Sequence, residues 1–192
     1  MNRFEPVEVR KQQIIQAAIS IVHEQGICNL RVADVAKRAG ISNGLVFHHF
    51  QSREGVLDEV MRYVMRSYFQ QSEKVLRGVV DPRQRIDAYL KMSFDPRQLD
   101  PEIASTWLAL FYLGKTSDRF ASLMRIYERR QISNIRHCTR QLFGDAEADF
   151  YATSLIAMID GLWLKHAVRR QAPDFDMLQR DALRIASILL DQ

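Results

Sequence analysis

Asn43 carries an amide that can offer one donor and one acceptor together, the pattern adenine presents in a major groove, a contact worth about 1–3 kcal/mol of discrimination. Around it, residues 34–50 read Asp-Val-Ala-Lys-Arg-Ala-Gly-Ile-Ser-Asn-Gly-Leu-Val-Phe-His-His-Phe. Two helices crossing at about 90–120° need a small residue at the crossing, a glycine in the turn and an apolar residue locking the second helix. Ala36, Gly40 and Val46 hold those places. Ser42 is placed to cap the second helix, leaving Asn43, Gly44, Phe47 and His48 on the turn that would enter a groove. Gly44 would allow close approach of the backbone. From residue 31 to 53 four bases, Arg31, Lys37, Arg38 and Arg53, face one acid, Asp34, a local charge of +3. Arg31 and Arg53 open helices on either side of the reading helix, where phosphate clamps belong. The same bases would also suit an ordinary solvated helix face.

Other chemistry is thinly represented. There is no HExxH, GxSxG, P-loop or GxGxxG pattern. His48 and His49 are adjacent, so on a helix they point about 100° apart and cannot easily share a metal. His23, His137 and His166 stand alone, and Cys28 and Cys138 lie far apart without a CxxC pair. Arg136 and Arg140 beside Cys138 are weak grounds for a thiolate. No catalytic residue, metal site or cofactor is expected, and the chain does not read as an enzyme.

The elements that must position these residues are helical. Apolar residues recur at helical spacing throughout, with no bounded strand alternation, so the fold class is all-α. Gly26, Gly40, Gly78, Gly114 and Gly144 read as helix stops, and Asp81-Pro82, Asp95-Pro96 and Asp100-Pro101 as capped turns, two of them helix starts. The pattern predicts nine helices at about 6–25, 31–39, 42–48, 52–78, 82–94, 101–114, 118–143, 146–170 and 175–190. The first domain spans 8–66, with its motif at about 31–50, and the second 67–192. With 192 residues, 47% hydrophobic and 26% charged, the composition is that of an ordinary globular chain. Net charge is +4, a mild bias toward a polyanionic partner. Uncharged runs such as 103–114 fall short of the ~20 apolar residues of a membrane span. No membrane partner and no secretory leader are expected, and the two isolated cysteines suit a cytoplasmic location.

The motif resembles that of the tetracycline-repressor (TetR) family of bacterial regulators, through Asp34-Val35-Ala36, Ala39-Gly40-Ile41-Ser42, Gly44, His48, Phe50 and Arg53-Glu54. The resemblance implies a dimer that binds a near-palindromic double-stranded DNA operator and is released by a small-molecule effector. It further implies that His49 and Arg53 stand where the family usually has a phosphate-contacting tyrosine and lysine. Arg31 stands where threonine or serine is usual, which favours a phosphate contact over capping.

The second domain, through Phe94-Asp95-Pro96-Arg97-Gln98, Ala104 to Ala109, Glu128-Arg129-Arg130, Ser133-Asn134 and Ile159-Asp160-Gly161-Leu162-Trp163-Leu164, is similar to the BetI-type subgroup, which implies choline as an effector. It also implies a homodimer through the last two helices, whose apolar content exceeds what one face needs. A quaternary ammonium calls for aromatic faces and an acid. The candidates are Trp107, Phe111, Tyr112, Tyr127, Asp160 and Trp163, with the cation between the helices at 101–114 and 146–170 and the long fourth helix tilting in response. Such aromatics also serve as core, Asp160 can instead bond a backbone group or an arginine, and Arg129 and Arg130 suit an anionic effector or salt bridges to Glu128 or Glu102. The competing reading is an all-helical protein-interaction dimer with no DNA function.

Overall fold

The structure, a computed structural model, describes residues 6–191, so the expected second domain loses only Gln192. The described residues form nine α-helices and no strand: α1 Val7–Gln25, α2 Val32–Arg38, α3 Asn43–Phe50, α4 Arg53–Leu76, α5 Pro82–Ser93, α6 Pro101–Thr116, α7 Asp118–Phe143, α8 Asp145–Ala167 and α9 Phe175–Leu190. Two 3₁₀ turns, Ile27–Asn29 and Pro96–Gln98, lie outside the sequence expectation. All three Asp-Pro pairs open helical segments. Asp81 Oδ1 accepts from Gln84 N at 2.8 Å ahead of α5, and Asp95 Oδ1 accepts from Arg97 N at 3.0 Å ahead of the second 3₁₀ turn. None of these helices is long and apolar enough to cross a membrane.

Four of the five expected glycine stops have the left-handed φ that favours a residue without Cβ. Gly114 does not: α6 runs on to Thr116, and the chain turns where Ser117 N donates to Leu113 O at 3.0 Å. At the other end of the scale, Gly55 is demanded by packing, because a Cβ there would lie 1.9 Å from Phe50 O. The α3–α4 corner needs that closeness. Gln51 sits at φ 64°, ψ −35°, and Ser52 N donates to Phe50 O at 2.7 Å, making a strained γ-turn. Ser52 Oγ then accepts from Gly55 N at 3.0 Å and starts α4.

The chain divides into two compact units. One holds the chain through Arg66 together with Pro101–Ala121. Its core joins Ile14, Ala18 and Ile21 of α1, Val35 and Ala36 of α2, Val46 and Phe50 of α3, and Val56, Leu57, Val60 and Met61 of α4. The bundle expected from α1 to early α4 thus also includes α6, which packs on α1 through Ala104, Trp107 and Leu110. Polar pins reinforce this contact: Ser20 Oγ donates to Glu102 Oε1 at 2.8 Å, and His23 Nδ1 pairs with Ser105 Oγ at 2.9 Å. Asp58 is buried; burial works to raise its pKa, but hydrogen bonds from Arg119 at 3.1 Å and Arg62 at 2.8 Å outweigh it and hold the carboxyl below its ordinary value.

The other unit holds Ser67–Asp100 and the chain from Ser122. Here α5, α8 and α9 pack together, burying Ile86, Tyr89, Leu90, Ala152, Leu155, Ile159, Leu178, Ala182 and Leu190. Arg83 ties down the end of α9, donating to Leu190 O and pairing with Asp191 at 2.8 Å. The outward faces of α8 and α9 carry apolar residues among the charged ones. Phe150, Leu164 and Val168 are exposed along α8 and its end, with the smaller Thr153, Ala157 and Gly161 exposed between them, and Met177, Ile185 and Ile188 are exposed on α9.

Candidate nucleic-acid interface and a buried tyrosine cluster

In the first unit the helix-turn-helix is built as its residue types dictate. Ala36 and Val46 are each 1% exposed, Gly40 has φ 67°, and Ile41 N donates to Ala36 O at 3.0 Å to close the turn. Ser42 caps α3, its Oγ accepting from Leu45 N at 3.3 Å. Asn43, Gly44, Phe47 and His48 are therefore carried on an anchored helix and face solvent. A Cβ at Gly44 would meet nothing nearer than Ser42 Oγ at 4.0 Å, so nothing within the chain requires glycine there. His49 is half-buried, its ring centroid 5.3 Å from that of His48 and 6.2 Å from that of Phe50. Burial, then the neighbouring His48 charge, lowers its pKa and favours the neutral imidazole.

The basic residues turn out to differ from one another. Arg31 precedes α2 with no side-chain cap and, like Lys37, is exposed without an ion pair among the described residues. Arg38 is committed to Glu24 by two bonds at 2.7 and 2.5 Å, which also lower the Glu24 pKa. Arg53 donates through Nε to Leu30 O at 2.9 Å and through Nη2 to Ile27 O at 2.5 Å, and Nη1 lies 3.6 Å from Glu54. It therefore braces the 3₁₀ turn that precedes α2. The +3 patch read along the sequence is less free than its residue count implies, because partners distant in the chain claim part of it.

The six aromatic and acidic candidates are divided between the units. Trp107, Phe111 and Tyr112 belong to the first, where Trp107 is buried and packs on Phe111 with ring centroids 6.0 Å apart. Tyr127, Asp160 and Trp163 belong to the second, where Trp163 Nε1 donates to Gln98 O at 3.0 Å. Tyr127 sits in a buried cluster that sequence reasoning missed. Tyr68 lies 5.7 Å from Tyr127 and 6.3 Å from Tyr89, ring to ring, and donates to the Tyr89 hydroxyl at 3.1 Å. Ser93 Oγ is 3.2 Å from the Tyr68 hydroxyl, and Gln131 Nε2 donates to the Tyr127 hydroxyl at 2.8 Å.

Two properties make this cluster more than packing. The Oε1 of Gln131 is buried with no hydrogen-bond partner, an uncommon arrangement that costs about 1–3 kcal/mol. Asp160 is exposed at its surface, yet desolvation by surrounding protein, with Glu128 adding repulsion, pushes its carboxyl up to about 6. The raised pKa values of Tyr68 and Tyr127 are due mainly to burial, with the Asp160 charge contributing to each. The cluster thus combines aromatic faces, an unused acceptor and the field of one carboxylate. No signal in the sequence links 68, 89, 127 and 131; only packing of α4, α5 and α7 brings them together. Among the described residues no group of three or more His, Cys, Asp or Glu is placed to hold a metal ion.

Comparison with known proteins agrees with both halves. The family described as bacterial regulatory proteins, tetR family, matches residues 14–60, and BetI-type transcriptional repressor, C-terminal, matches residues 82–191. The HTH-type transcriptional regulator BetI 1 of Chromohalobacter salexigens is 33% identical over 169 residues, 88% of this chain and 84% of that protein. BetI of Serratia proteamaculans is 33% identical over 177 residues, 91% and 88% of the two chains. Among solved structures, a transcriptional regulator from Pseudomonas aeruginosa superposes with a TM-score of 0.85 at 24% identity, covering 98% of this chain and 91% of that one. One from Saccharomonospora viridis, solved in complex with choline, gives 0.81 at 25% identity, covering 94% and 96%. A capped reading helix at one end and a BetI-type second half matched over most of its length lead to one conclusion: the chain belongs to the TetR family of DNA-binding transcriptional regulators, in its BetI-type repressor branch.

Proposed function

We propose that this repressor binds a near-palindromic operator as a homodimer and leaves it when a small cation such as choline occupies the second unit. The observation that carries the cation reading is the buried tyrosine cluster with its unused Gln131 acceptor, two of whose tyrosines feel the Asp160 charge. A quaternary ammonium needs aromatic faces and a negative field, each face contributing about 0.5–2 kcal/mol. Tyr127, Tyr68 and Trp163 offer faces, Asp160 the field, and Gln131 Oε1 can accept from the choline hydroxyl. The choline bound to the Saccharomonospora viridis regulator supports this choice of probe.

On DNA, Asn43 reads a base edge, Gly44 admits close backbone approach, and Ser42, Phe47, His48 and His49 complete the contact, with Arg31 and Lys37 on phosphates. Arg53 reaches phosphate only through donors left over from its brace. The exposed apolar stripe of α8 and α9 supports a self-complementary dimer, with Thr153, Ala157 and Gly161 small enough for a partner helix to come close. Two reading helices in such a dimer must lie about 34–36 Å apart to enter successive grooves. Because α4 is one unbroken helix from Arg53 to Leu76, a shift at Tyr68 is carried along it toward the α3–α4 corner.

Fluorescence anisotropy on DNA upstream of the protein's own gene, at two salt concentrations and with or without choline, tests the reading. Salt-sensitive binding that choline weakens is the expected result. Binding indifferent to choline discards the cation, and no binding at low salt favours the protein-interaction dimer. Sedimentation of wild type against Ile188→Asp tests the dimer; a wild-type monomer at micromolar concentration would overturn it.

A further inference from the structure

The second unit contains a separate cleft of about 420 Å³ where α4, the turn after it, α5 and α7 meet. Its volume falls in the range of small-molecule sites. Three guanidinium groups line it, Arg77, Arg85 and Arg130, against one acid, Glu73, which already pairs with Arg77 at 3.7 Å. Arg130 has no acidic partner among the described residues; its guanidinium rests 4.4 Å from the centre of the Phe69 ring. Arg85 is fixed through Nη1, which donates to Leu76 O at 3.0 Å and Val79 O at 2.8 Å. The Nε of Arg85 is buried and has no acceptor. Ser72 and Asn134 add neutral polar groups to the lining, and Phe69 and Leu76 supply an apolar wall.

We propose that this cleft binds a small organic carboxylate. Its oxygens would pair with Arg130 and Arg85, for which a planar carboxylate is the natural partner of a guanidinium fork, and its apolar body would lie on Phe69 and Leu76. The site is opposite in charge preference to the one assigned to a cation and rests on different polar groups, so either can fail without the other. The two sites share no residue and adjoin at Phe69, whose ring lies 5.5 Å from that of Tyr68 and 5.7 Å from that of Tyr127.

Calorimetric titration of the full chain with hexanoate, benzoate and inorganic phosphate, in chloride buffer, tests the proposal. Saturable binding of hexanoate or benzoate is expected, tighter than that of phosphate by at least about tenfold. Arg130→Gln should weaken it by about tenfold or more, whereas Arg129→Gln, an equal loss of charge one residue away on the solvent side, should leave it within about twofold. Thermal melts of both variants establish that they fold; if Arg130→Gln does not, Arg77→Gln, whose side chain is largely exposed, takes its place with a smaller expected loss. No saturable carboxylate binding up to about 10 mM, tighter binding of phosphate, or equal weakening by Arg129→Gln and the cleft variant would each overturn the proposal.

Discussion

The reading helix and the tyrosine cluster are opposite solutions to the problem of presenting polar groups. On α3 the groups are adjacent in sequence, exposed, and held only at their backbone by Ser42 and the Gly40 turn. In the second unit they come from three helices, are buried, and hold one another through Tyr68, Tyr89, Tyr127 and Gln131. A surface that must meet many base sequences is easily altered one residue at a time. A buried site is not, because each substitution leaves a neighbour without its hydrogen bond, at a cost of about 1–3 kcal/mol.

The largest effect that would break this contrast lies at the corner supporting α3. Gly55→Ala places a methyl 1.9 Å from Phe50 O, and we expect a loss of about 3 kcal/mol or more in denaturant unfolding together with loss of DNA binding. Wild-type stability would show that the corner yields. Next, Asn43→Ala should cost about 1–3 kcal/mol at the operator while leaving non-specific binding and thermal stability unchanged, as a competition assay would read. A fall in melting temperature would mean that Asn43 is part of the fold after all.

The buried region predicts a pH effect instead. If the cation needs Asp160 ionised, choline affinity should fall as pH drops through about 6, and Asp160→Asn should bind more weakly and without that dependence. In the free protein the same shift acts in the other direction. The folded chain holds this proton more tightly than the unfolded one, so the group favours folding as pH falls from about 6 toward 3.8. A pH-independent choline titration would remove Asp160 from the site. The smallest expected effect is Gln51→Gly, which relieves the γ-turn and should stabilise the chain by about 1 kcal/mol in a thermal melt, without changing choline affinity.

Local chemistry explains what could be read in advance. Caps at Asp81 and Asp95, left-handed glycines at 26, 40, 78 and 144, and the Ala36–Gly40–Val46 spacing each depend on a few neighbouring residues. What escaped depends on contacts across the chain. That α6 would lie against α1, that Glu24 would occupy Arg38, and that the carbonyls of Ile27 and Leu30 would occupy Arg53 are all settled by packing. Gly114 misled because glycine is tolerated inside a helix at a cost of only about 1 kcal/mol, so its presence does not enforce a stop.

Gly44 has a consequence for how such a protein can change over time. A methyl group there touches nothing in the chain, and alanine is the better helix former by about 1 kcal/mol, so folding alone gives no reason to keep glycine at the position. With the proposed contact between α3 and DNA, it is the operator that would hold glycine at residue 44, making it a point at which a duplicated copy could acquire a new target sequence without first having to recover lost stability.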